Sequence, residues 1–198
     1  RAAAKRQVSK RSDSESDDDA EEDSEVVLRV HRDTIYYRGE ICEPYATSLV
    51  VQLQRLDEKM RINTNERITL RLTSEGGDLF AGLCIYEAIR RCVTPVDVVA
   101  EGYVASAATF ILLAADKRYM YKTAVILVHA LSSWMIGMHK PDKIKEELMN
   151  CETLMKIITE LYKSHCKVNT KTLQSMYATD KYMRSDECLT LGFVDKVL

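Results

Sequence analysis

The chain has 198 residues, 46% of them hydrophobic, and a formal net charge of −2, which suits one ordinary domain able to bury a sizeable core. The longest apolar run, 104–115, falls short of the roughly 20 residues that a membrane-spanning helix needs, and no leader pattern opens the chain, so a soluble, non-secreted protein with no membrane contact is expected. Six cysteines without a CxxC pair read as free, buried thiols of a reducing compartment, either the cytoplasm or an organelle matrix or stroma, and neither a disulfide frame nor a zinc site is expected.

Charge is unevenly spread at the start. Residues 1–11 hold five bases and 13–25 hold nine acids without a base, which leaves a nearly neutral body and no basic groove for nucleic acid. The stretch from Ser12 to Glu25 contains no large apolar residue to offset the entropy of ordering, so 1–25 is expected to be a disordered tail and 26–198 the folded domain.

From Val26 onward, β-branched runs alternate with helical patterns, which predicts an α/β fold of stacked βα units around a mostly parallel sheet. Strands are expected at Val26–Val30 and Thr34–Tyr37, followed by a helix over Tyr45–Met60 with Leu49, Leu53 and Leu56 on one face. A strand over Arg67–Thr73 leads through Gly76-Gly77 into a helix over Asp78–Cys92, with Asp78 as its N-cap. Next come a strand over Val96–Glu101 and an all-apolar, central helix over Val104–Ala115. Strands at Arg118–Tyr121 and Ala124–His129 follow, the second apolar enough to be buried on both faces. Pro141 opens the longest helix, whose stripe of Ile144, Leu148, Cys151, Met155, Ile158 and Tyr162 demands projection or a partner. A short helix from Ser185 closed by Gly192 and a strand over Phe193–Leu198 complete the chain.

Three stretches point to chemistry. Ser106 stands at the first turn of the apolar helix between Ala105 and Ala107, where unpaired N–H groups and the helix dipole favour an anionic oxygen. Gly76-Gly77 ends a strand at the side of the sheet where α/β sites form, and can aim a backbone N–H outward. His129 ends an apolar strand, where a titratable ring needs a reason. His31, His139 and His165 sit in polar surroundings and read as surface residues. A serine hydroxyl needs a base in reach and donors for the developing oxyanion, and this set has candidates for both. Taken singly, each has a plainer reading: a packing serine, a tight turn, a core histidine. Many aspartates qualify to orient the imidazole, and Asp180 stands out because its loop is able to return to the site. No GK[ST] follows the glycines, so a phosphate loop is disfavoured, and no cofactor or metal is expected.

Taken in order, Leu70–Gly77, Ala81-Gly82, Ile85-Tyr86, Ala105-Ser106-Ala107, Val128-His129, Asp180–Ser185 and Leu191–Asp195 resemble the ClpP family, the proteolytic subunits of Clp proteases, over about 34–198. The resemblance implies a ClpP/crotonase-like fold with a protruding handle at about 131–167, and a serine endopeptidase that degrades unfolded polypeptides through an acyl-enzyme. Ser106 would be nucleophile, His129 base and Asp180 its orienting partner, with the Gly77 and Ala107 N–H groups as oxyanion hole and Gly76, Ala130, Leu131 and Gly137 along the substrate. It also implies a homo-oligomer of paired heptameric rings and a docked AAA+ unfoldase. The chain departs from the family pattern at Glu75, at Ala130-Leu131 and at Ser132-Ser133-Trp134. Two other readings share the fold: an inactive structural ring subunit and a crotonase-type acyl-CoA enzyme.

Overall fold

The computed structural model describes residues 26–63, 65–131, 140–180 and 182–198. The expected tail 1–25 and Gly137 lie outside the described residues.

A hairpin of β1 (Val27–His31) and β2 (Thr34–Arg38) opens the fold and leads into α1 (Glu43–Met60). Then β3 (Ile68–Ser74) feeds α2 (Leu79–Arg91), and β4 (Val96–Ala105) feeds α3 (Ala108–Leu113). The short strands β5 (Lys117–Met120) and β6 (Val125–Leu127) precede α4 (Pro141–His165). The chain closes with α5 (Thr170–Tyr177), β7 (Tyr182–Met183), α6 (Ser185–Leu191) and β8 (Lys196–Val197). The expected strand–helix alternation is therefore present. α5 and β7 were not anticipated, being short and weakly patterned.

The sheet runs β1-β2-β3-β4-β5-β8 and is parallel from β2 onward, while β6 pairs with β4 and β7 with β6. α1 buries Leu49, Leu53, Leu56 and Met60 at helical spacing, each contributing about 1.5–3 kcal/mol by leaving water. α2 starts where the Asp78 carboxylate accepts the Ala81 N–H at 2.7 Å, the expected N-cap.

β4 positions the site. It pairs with β5 through Asp97–Ala100 and then changes neighbour, pairing with β6 through Tyr103–Ala105. Between these ladders its register with β3 slips, from Leu72↔Ala100 to Ser74↔Val104, at Gly102 with φ 60°. Such a bulge re-aims the strand beyond it. The strand consequently extends to Ala105, and the helix expected from Val104 begins only at Ala108; Ser106 lies at the joint between them and not inside a first helical turn. α3 itself is wholly buried, as its all-round apolarity requires.

Two further expectations change. Residues 124–129 alternate between buried and half-buried, so β6 is covered on one face only and His129 lies just past its end on the open face. His165 is no surface residue: its Nε2 lies 3.2 Å from the Tyr86 hydroxyl, and the two rings meet edge-on at 5.7 Å. All six cysteines are free, but only Cys166 and Cys188 are buried, and Cys84 is exposed.

In α4 the burial is graded. Ile158 and Tyr162 are buried, whereas Ile144 and Leu148 near the start are 50% and 59% exposed. The start of the helix therefore leaves its apolar stripe outside the core, while its later turns pack on it. Among the described residues, no helix is long and apolar enough to cross a membrane.

Candidate active site

A cleft of about 260 Å³ opens at the carboxyl ends of β3, β4 and β6. Ser106, Ala107, Gly77, His129, Ala130 and Leu131 line it, together with Glu75 and an apolar wall of Leu79, Phe110, Ile158 and Tyr162. A larger groove of about 950 Å³ between α1 and α2 holds neither serine nor histidine. The chemistry therefore belongs to the smaller cleft.

Ser106 occupies a strand-to-helix elbow with φ 53°, one of two non-glycine residues at positive φ among the described residues. This left-handed geometry costs an L-residue about 1–2 kcal/mol. Three hydrogen bonds over-determine it, each worth about 1 kcal/mol net. The Ser106 N–H donates to Leu127 O at 3.0 Å, and the Ser106 carbonyl accepts both the Thr109 N–H at 3.0 Å and the Thr109 hydroxyl at 2.6 Å. An outlier held in this way sits where a nucleophile elbow would need it, turning the side chain into the cleft mouth.

The glycines make the elbow possible. An alanine Cβ at Gly76 would meet Ser106 Cβ at 2.6 Å and Ala105 O at 2.7 Å, and at Gly77 it would clash with Ile41 O; the two φ angles are +96° and +138°. Gly76 is thus backbone packed against the serine. The buried Ser74 hydroxyl accepts the Gly76 N–H at 3.0 Å, while Ile41 N–H donates to Gly76 O and Asp78 N–H to Ile41 O, each at 2.7 Å. These bonds leave the Gly77 N–H without an acceptor among the described residues, and the Ala107 N–H has none there either. Both residues line the cleft that also holds Ser106. Such donors suit an oxygen that gains negative charge.

β6 brings His129 to the cleft, and β7 brings the loop carrying Asp180. Leu127 lies opposite Tyr182 in the antiparallel β6–β7 ladder, so the segment that continues to His129 and the loop that carries Asp180 leave the same end of that ladder. Asp180 is exposed, and no hydrogen bond joins Ser106, His129 and Asp180 among the described residues. Contacts of this kind are commonly long in a free enzyme and tighten when substrate binds.

Among the described residues, no cluster of three or more His, Cys, Asp or Glu has the arrangement of a metal site. Burial pushes the thiols of Cys166 and Cys188 up to about 12, so they stay protonated and non-nucleophilic at neutral pH. Tyr103 donates to the Glu75 carboxylate at 3.2 Å, which fixes an acid at the rim of the cleft. Ser74, Thr109 and Tyr162 carry little local sequence signal of their place beside this site. The one signal for Thr109 is a hydroxyl within an otherwise apolar run, and Tyr162 reads there only as part of a helical stripe.

The family model described as Clp protease matches residues 18–198. An ATP-dependent Clp protease proteolytic subunit from Deinococcus radiodurans is 29% identical over 180 residues, covering 88% of this chain and 84% of its own length. In fold, the chain resembles a variant of ClpP1 from Listeria monocytogenes, with a TM-score of 0.74 at 24% identity over 84% of this chain and 91% of that one. The elbow serine, the histidine-bearing strand end and the glycine turn thus stand in a chain that belongs to the Clp protease family, a family of serine peptidases.

Proposed function

We propose that the chain is a proteolytic subunit that hydrolyses unfolded polypeptides, with Ser106 as nucleophile, His129 as general base and acid, and Asp180 as the residue that orients the imidazole. The observation that carries the proposal is the strained Ser106 elbow in one cleft with His129 and with Gly77 and Ala107, whose backbone N–H groups have no acceptor among the described residues.

In this reading a peptide lies extended between the glycine turn and the segment after His129, so that Gly76, Ala130, Leu131 and Gly137 bind its main chain and select little among side chains. His129 takes the proton of Ser106 Oγ as the oxygen attacks the scissile carbonyl, and the oxyanion settles on the N–H groups of Gly77 and Ala107. The imidazolium then protonates the departing amine, which leaves an acyl-Ser106 ester. A water activated by the neutral imidazole hydrolyses the ester and regenerates the serine. Asp180 holds the imidazole tautomer that presents a lone pair to Ser106. No metal or cofactor enters any step.

The unit performing this is 26–198, with 1–25 as an appended tail. The half-exposed Ile144, Leu148 and Ile157 on α4 support its use as a handle between subunits, as does the 67% exposed Met149. Paired heptameric rings and an AAA+ unfoldase that feeds them complete the proposal, as does a reducing compartment suited to six free cysteines.

The test compares the wild-type chain with Ser106→Ala in the hydrolysis of casein and of short fluorogenic peptides. The proposal expects turnover by the wild type and at least a thousandfold loss in the variant, in the range measured when a nucleophile of this class is removed. Equal turnover by both would refute it.

A further inference from the structure

We infer that Tyr162, on the long helix α4, is a positioning residue for Ser106 and acts through the hydroxyl of Thr109. The inference rests on the serine-peptidase reading given above.

The geometry fixes the direction of a relay. Thr109 Oγ1 lies 2.6 Å from the Ser106 carbonyl oxygen and 2.6 Å from the Tyr162 hydroxyl oxygen. A carbonyl can only accept, so the single Thr109 hydroxyl proton points at Ser106. Tyr162 must then be the donor to Thr109, and the chain reads Tyr162 O–H to Thr109 O–H to Ser106 C=O. Burial pushes the Tyr162 phenol well above its usual range, which keeps that proton in place throughout the pH range of activity. Hydrogen bonds in such a chain polarise one another.

The carbonyl at the end of the relay belongs to the residue with φ 53°. Its Oγ must point into the cleft for attack, and rotation of the Ser106 peptide out of the left-handed region would swing it away. Thr109 is fully buried and Tyr162 is 2% exposed, so neither hydroxyl can exchange its partner for bulk water. The Tyr162 ring also packs against Phe110 and Phe193, with both centroids at 5.9 Å. α4 is therefore joined to the nucleophile elbow by one directional polar contact set within an aromatic cluster. Neither hydroxyl touches the reacting atoms.

The test uses the full chain with Tyr162→Phe, Thr109→Val and Thr109→Ser. Phenylalanine keeps the ring contacts and removes only the donor, while serine keeps the hydroxyl and loses a methyl. Each variant is assayed for peptide kcat and KM and for the rate at which a fluorophosphonate probe labels Ser106.

Tyr162→Phe should lower kcat and the labelling rate about tenfold, the effect of one lost hydrogen bond, with KM within about twofold of wild type. Thr109→Val should fall further, and Thr109→Ser should recover most of the rate. If Tyr162→Phe and Thr109→Val react like an active wild type, the positioning role is overturned and the peptidase reading stands. Equal losses in Thr109→Ser and Thr109→Val would also overturn it, by showing that the site needs threonine's shape and not its hydroxyl. A wild type that neither labels nor hydrolyses would overturn the peptidase reading and this role with it.

Discussion

Replacing Gly76 with alanine sets two separate costs against the fold at one position. Gly76 has φ +96°, where an L-residue is strained, at about 1–3 kcal/mol for an over-determined site. The added Cβ would also stand 2.6 Å from Ser106 Cβ, 2.7 Å from Ala105 O and 3.0 Å from Ala107 N. Two of these atoms are backbone, so relief requires the elbow itself to shift, as overpacking does at about 1–3 kcal/mol. The total of about 2–6 kcal/mol should lower the midpoint of thermal unfolding by about 10 °C for a chain of this size. A nucleophile displaced by about 1 Å should react about a hundredfold more slowly. Gly102→Ala is the matched control: its φ is +60°, but the nearest atom, Thr73 Cγ2, is 3.6 Å away, so strain acts without a clash. Thermal unfolding and active-site labelling of both variants decide the matter. Equal melting shifts for the two, or wild-type labelling by Gly76→Ala, would refute the close packing of the glycine turn against the serine.

Two further outcomes follow from side-chain environments. Burial alone would raise the Asp195 carboxyl, but hydrogen bonds from the Arg118 side chain and backbone, together with its charge, hold it below the usual value. A carboxylate depressed in the folded state stabilises the fold above its unfolded pKa of about 4 and loses that contribution as pH falls through the folded value. Asp195→Asn should therefore flatten the loss of melting temperature between pH 5 and pH 3 relative to wild type, and parallel curves would contradict the assignment. Thiol titration of the native chain should find exposed Cys84 reacting first, with Cys166 and Cys188, both pushed up to about 12, silent until unfolding; rapid modification of either buried thiol would overturn this.

The elements most legible in the sequence were those with a strong period. The Leu49, Leu53 and Leu56 face of α1 and the capped start of α2 appear where expected, and β3 lies one residue later than expected. What local pattern misread was the joint between β4 and α3. Val104 and Ala105 are apolar and suit either element, and only the bulge at Gly102 with the new neighbour β6 makes them strand. The elbow at Ser106 is consequently a tertiary feature. β7 escaped notice for the same reason, since a two-residue strand exists only through its partner. That partner also brings the loop carrying Asp180 to the end of β6, a proximity that its distance from His129 in sequence does not reveal. Thr109 and Tyr162 were visible as residues but not as a pair, because a hydrogen bond across 53 positions leaves no local trace.

Peptidase chemistry in this cleft requires Ser106 to be an activated nucleophile. Intact-mass analysis and peptide mapping after fluorophosphonate treatment test this directly, comparing the wild type with His129→Ala and Asp180→Asn. A single adduct on Ser106, formed at least tenfold more slowly in both variants, is the predicted result. No adduct, an adduct on another residue, or labelling of Ser106 at one rate in all three chains would contradict it.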